Sequence, residues 1–170
     1  MFVILILLVS VVAFAQSQYP VNPHPSGLQT TPYSNNYFSA TFNGTVTTNS
    51  YRGDQSGNAK YTSANQNVSQ TVTVRIVNYD IPANQASADF YADNDCTLRG
   101  TIENRSTGTW ERHPFTYIGC KYIENNMEWF QRSRYIIVNS REAIFIQQVS
   151  RSSYNDQDEW LDFAYSLRIK

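Results

Sequence analysis

Hydrophobic and polar residues alternate where the folded part of the chain begins. Phe38, Ala40 and Phe42 interleave with Ser39, Thr41 and Asn43, the period of two that marks a half-buried strand, and Asn43-Gly44 closes it as a turn. Residues 52–58 are polar and Gly-bearing and read as a turn, with a short strand over 60–63. In residues 71–79, Val72, Val74 and Ile76 line one face and Thr71, Thr73 and Arg75 the other. Pro82 then stands where the first residue of a helix would. Ala83, Ala86 and Phe90 follow at helical spacing, so a helix should run to about Asn94. Residues 98–104 and 110–122 read as strands joined around Gly108, and Asn125-Asn126 marks the next turn. Residues 128–138 and 143–150 make a hairpin about Asn139-Ser140. A second helix runs from a cap at Asn155 to Ala164. Asp156, Asp158 and Glu159 complement its positive end, and Trp160, Phe163 and Ala164 form its apolar face. Residues 165–169 make a last strand. No internal repeat is present.

One hairpin constrains the architecture. Tyr135-Ile136-Ile137-Val138 and Ala143-Ile144-Phe145-Ile146 are apolar on both faces, so both strands must be covered on both sides. With two helices available, the expected cover is helical. The expected class is α+β: a central antiparallel sheet covered by helices.

Residues 1–15 form an uncharged, almost wholly apolar run ending Ala13-Phe14-Ala15. It is too short to anchor in a bilayer and ends on a small-x-small pattern, so it reads as a signal peptide with a mature start at Gln16. The expected location is periplasmic or extracellular, with no stable membrane anchor after cleavage. Residues 16–36 hold Pro20, Pro23, Pro25 and Pro32 among Ser, Asn and Gln, and read as a disordered leader. A single domain then fills residues 37–170, enough chain for a sizeable core.

The formal net charge is −1, and no Lys/Arg run is present, so nothing favours a nucleic-acid partner. Cys96 and Cys120 are the two cysteines. In an oxidising compartment such a pair forms a structural disulfide, here closing a loop of about 25 residues worth roughly 3 kcal/mol.

Four segments carry a family resemblance. They are the opening Phe38-Ser39-Ala40-Thr41-Phe42-Asn43-Gly44, Gly119-Cys120-Lys121-Tyr122, Arg134-Tyr135-Ile136-Ile137-Val138, and the ending Phe163-Ala164-Tyr165-Ser166-Leu167-Arg168-Ile169. On these the chain resembles the PsbP-like group, which includes a Ran-binding nuclear-transport protein and exported bacterial proteins. The resemblance implies an α/β/α sandwich and an accessory, chaperone or binding role. It implies no catalytic residues.

Candidate chemistry is sparse. His113 is the single histidine after the leader, and no G-x-S-x-G surrounds a serine, so no activated nucleophile is expected. Asp93-Asn94-Asp95 lacks the Gly and closing Glu of a calcium loop, and Asp89, Asp93 and Asp95 read as a solvated helix end. Asp156, Asp158 and Asp162 read as helix charges. No metal or cofactor is expected. Arg52-Gly53-Asp54 matches an integrin-binding tripeptide but is ordinary turn chemistry. Asn43, Asn67 and Asn104 open glycosylation sequons. Three tryptophans and twelve tyrosines could supply a stacking surface for a polymer, a small molecule or a protein partner. Trp110, Tyr117 and Trp129 are its leading residues. The leading expectation is therefore an exported, non-enzymatic accessory or binding domain. The alternatives are a carboxylate-dependent hydrolase of an extracytoplasmic polymer, with two acids in a cleft, and a surface adhesion factor.

Overall fold

The computed structural model describes residues 29–53, 56–64, 68–154 and 156–170. The proposed signal peptide, most of the leader, Asp54, Asn67 and Asn155 lie outside these residues.

The strand pattern builds two antiparallel sheets. The larger is formed by β3 (Thr47–Gly53), β4 (Ser56–Ala64), β5 (Val68–Val77), β6 (Gly100–Trp110), β7 (His113–Glu124), β8 (Met127–Ile137) and β9 (Glu142–Arg151). Its spatial order is β3-β4-β5-β9-β8-β7-β6, and the smaller sheet has the order β1-β2-β10, with β1 (Thr30–Ser34), β2 (Phe38–Asn43) and β10 (Arg168–Ile169). Two helices complete the fold, α1 (Gln85–Thr97) and α2 (Gln157–Ser166).

The two-sided apolar strands are covered on both faces, but not by two layers of helix. On one face Val72, Val74, Ile136, Ile144 and Ile146 pack against Phe38, Ala40 and Phe42 of the small sheet and Trp160, Phe163, Ala164 and Leu167 of the α2 segment. Each Val, Ile, Leu or Phe side chain among them, buried in full, contributes about 1.5–3 kcal/mol. On the other face Ala88, Ala92 and Cys96 of α1 meet Ile118, Cys120, Tyr135, Ile137 and Ala143. The protein is therefore mostly β, and the expected α/β/α sandwich is not what forms. The physical reason lies in β2. Its alternating Phe38, Ala40 and Phe42 make an apolar sheet face, and that face supplies cover that helices were expected to give.

Other expectations shift locally. β1 falls inside the stretch read as leader and pairs with β2 from Thr30↔Asn43 to Ser34↔Ser39. The Asn35 carboxamide accepts from the Tyr37 and Phe38 amides at 2.8 and 3.0 Å, which fixes the turn between them. Pro32 is tolerated because β1 is an edge. Helix α1 is capped by Asn84, whose side chain accepts from the Ser87 amide, so the helix starts later than expected. Its buried face is Ala88, Ala92 and Cys96, and Phe90 is left 64% exposed. The disulfide between Cys96 and Cys120 is present and ties α1 to β7.

The β6–β7 turn is not at Gly108. Glu111 and Arg112 make it, both at positive φ, the two-residue turn that suits the twist of a hairpin. Gly108 sits inside β6, where an added Cβ would come within 3.0 Å of the Phe115 ring. This registration puts Trp110 at the hairpin tip, opposite His113.

Candidate functional site

Cross-strand register brings a group of aromatic side chains around one arginine. Tyr117 on β7, Arg134 on β8 and Ile146 on β9 are direct partners and so share a face, with Phe115 opposite Ile136 two residues along. The β6–β7 tip adds Trp110, and the last turn of α2 adds Tyr165. The Arg134 guanidinium carbon lies 4.8 Å from the Trp110 ring centre, 4.7 Å from Phe115 and 5.5 Å from Tyr165. The rings also meet one another and α2, with Trp110 5.5 Å from Tyr165 and Tyr117 5.9 Å from Trp160.

The electrostatics of Arg134 are unusual for a structural arginine. The residue is 7% exposed. Burial lowers its pKa, opposed by Tyr165, which is hydrogen-bonded to it, and by Tyr117. Its Nε and Nη1 have no hydrogen-bond acceptor, and the buried Trp110 Nε1 has none either. A buried unpaired ion costs several kcal/mol. A desolvated cation–π contact returns about 2 kcal/mol. The rings offset part of the cost of burying the charge, yet three donor nitrogens remain without acceptors. Around them Trp110, Phe115 and Tyr117 are only partly buried and Tyr165 is 37% exposed, so the cluster reaches the surface.

Trp129 does not belong to this group. It packs with Ala92, Cys96, Tyr122 and Tyr135 on the α1 side of the sheet, under the guanidinium of Arg151 at 5.6 Å. Arg134 was missed in the sequence. The usable signal was an arginine on the inward face of β8, in step with Ile136.

The acidic residues are engaged elsewhere. Asp95, on α1, accepts from Gln131 Nε2 at 2.6 Å, Gln147 Nε2 at 3.0 Å, Arg99 Nη2 at 3.1 Å and the Tyr135 hydroxyl. Burial and the facing Asp95 charge push the Tyr135 phenol upward. Asp89 accepts from Thr116 Oγ1 at 2.6 Å and pairs with Arg105 at 2.7 Å, and the Thr116 bond holds its carboxyl below the usual range. Asp93 also pairs with Arg105. Asp156 is buried against Arg132, with 2.9 Å between Oδ1 and Nη2. Two shallow surface depressions stand out. One, of about 460 Å³, is lined by Arg99, Gly100, Thr101, Lys121, Tyr122 and Ile123 together with Glu103 and Glu128, where Glu128 is held by Lys121 at 2.8 Å. The other, of about 280 Å³, lies on the small sheet beside Tyr33 and Ser166. Among the described residues no three His, Cys, Asp or Glu side chains converge as metal ligands. Of the sequons, Asn43 is 4% exposed and Asn104 is exposed on β6.

No protein-family model matches the chain, and no curated protein matches it. Among solved structures it is similar to LpqN, described as involved in cell envelope biogenesis of Mycobacterium tuberculosis. The identity is 13%, the match covers 84% of this chain and 91% of that one, and the TM-score is 0.49. A likeness at that level carries neither fold nor function across. The PsbP-like resemblance gains no support from these comparisons.

Proposed function

We propose that the protein is exported and acts as a binding domain, holding its ligand at the Trp110–Arg134–Tyr165 face. The observation that carries this reading is the buried Arg134, ringed by aromatic side chains, hydrogen-bonded to Tyr165 and left without an acceptor at Nε and Nη1. Native proteins satisfy nearly all buried polar groups, so each unpartnered one calls for an explanation, and a bound ion or ligand group is one. A site of convergent polar donors framed by apolar rings is the usual form of a ligand site. The apolar run at residues 1–15 and the Cys96–Cys120 disulfide support export.

The test is thermal-shift screening of the domain against mono- and oligosaccharides, short peptides and small organic acids. At least one compound should raise the Tm of the wild type and leave Trp110→Ala unmoved. Compounds that stabilise both proteins equally, or a panel that moves neither, would overturn the assignment.

A further inference from the structure

We infer that the group recognised at this face is a carboxylate, received by Arg134 and the Trp110 indole N–H. The inference rests on the binding-face reading above and adds the chemistry of the ligand. Three facts carry it. Arg134 is more than nine-tenths buried, and no salt bridge to it is among those of the described residues; the partner acting on it is the Tyr165 hydroxyl. Its Nε and Nη1, together with Trp110 Nε1, are donors without acceptors, which suits an oxyanion that presents only acceptors. The nearby acid that could compete, Glu111 at the hairpin tip, is already occupied. Its Oε2 accepts from the Ile169 amide at 2.8 Å, and its Oε1 lies 3.7 Å from Arg168.

The rest of the cluster fixes what the carboxylate is attached to. Trp110, Phe115, Tyr117 and Tyr165 offer flat apolar faces on which a ring or planar group can lie. The guanidinium beneath Trp110, Phe115 and Tyr165 makes their outer faces electron-poor, which favours an anion over a cation as guest. A free acid and an acidic residue on a polymer share this chemistry.

Calorimetric titration of the full domain separates the outcomes. The probes are benzoate against benzamide, and a uronic acid trimer against a neutral glucose trimer. The expected result is saturable binding of an acid, at least about tenfold tighter than its neutral counterpart and weakened by added salt. Benzoate binding alone assigns a small free acid, and trimer binding alone assigns an acidic polymer; both support the carboxylate. Trp110→Phe should weaken the acid several-fold. Arg134→Met should abolish the preference for acids while leaving the Tm within a few degrees of wild type, because it also removes an unpaired buried charge. Neutral probes that bind as well as the acids would overturn the carboxylate and leave the binding face standing. A Tm lowered by tens of degrees in Arg134→Met would make Arg134 a structural residue and overturn the inference. Failure of every probe in the wider panel would remove the face itself.

Discussion

Asp156 is 1% exposed and sits where five elements meet. It accepts from Arg132 Nε at 3.1 Å, Gln148 Nε2 at 3.0 Å and Ser150 Oγ at 2.9 Å. Gln148 in turn accepts from Gln70 at 2.8 Å, and Gln70 accepts from the Asn43 amide at 2.7 Å. The chain of bonds links α2, β8, β9, β5 and β2. Breaking a buried pair strands the other charge, so Asp156→Ala should cost about 3–5 kcal/mol in denaturant unfolding. A loss under about 1 kcal/mol would show that Arg132 finds water instead. Asp89 gives a pH signature. Its folded pKa is depressed, first by the Thr116 hydroxyl and then by Arg105 and Gln85. The stability it contributes is therefore present above the unfolded aspartate value of about 4 and is lost as pH falls through the lower folded value. Thr116→Val should flatten the acid limb of the stability curve below about pH 4 and leave neutral-pH behaviour of that limb unchanged in shape. An identical acid limb in the variant would contradict the assignment.

Helix α1 has a thin apolar face. It buries only Ala88, Ala92 and Cys96, and its first turn carries no acidic residue. The disulfide to β7 and the polar ties of Asp89 and Asp95 fasten it. Replacing both Cys96 and Cys120 with Ala should lower stability by about 2–4 kcal/mol. Hydrogen exchange should then show α1 opening well before β8 and β9. Equal loss of protection in α1 and the central strands would mean that the helix and sheet unfold as one unit. The sequence made parts of this plan legible. Period-two alternation marked β2 and β5, and runs apolar on both faces marked β8 and β9, because those strands bury one face or both. β1 was hidden because Pro32 and the Asn-rich setting mimic a linker, while its order comes from pairing with β2 and from the Asn35 turn. The β6–β7 turn was misplaced because Glu111-Arg112 has none of the Gly or Asn expected at positive φ, whereas Gly108 is small only to admit the Phe115 ring.

Across the whole molecule, two-sided burial of the central strands was readable, but the kind of cover was not. Apolar residues on both faces require a neighbour, and a sheet satisfies that requirement as well as a helix does. The candidate site was partly legible for a related reason. Trp110 and Tyr117 are visible as aromatics in a strand, but their meeting with Tyr165 and Trp160 of α2, some forty to fifty-five residues away, is set by tertiary packing. Trp129, equally aromatic, faces the other side, since side chains on neighbouring strands share a face only when their register agrees. What the fold adds is a charged residue placed beneath the rings. The most direct check of that arrangement is a nitrogen–proton correlation spectrum of the arginine side chains. One Nε–H resonance, assigned by its loss in Arg134→Met, should lie strongly upfield because of the surrounding rings and move downfield as a carboxylate is added. An Arg134 Nε–H resonance at the ordinary position of a solvated arginine, unmoved by any acid, would contradict it.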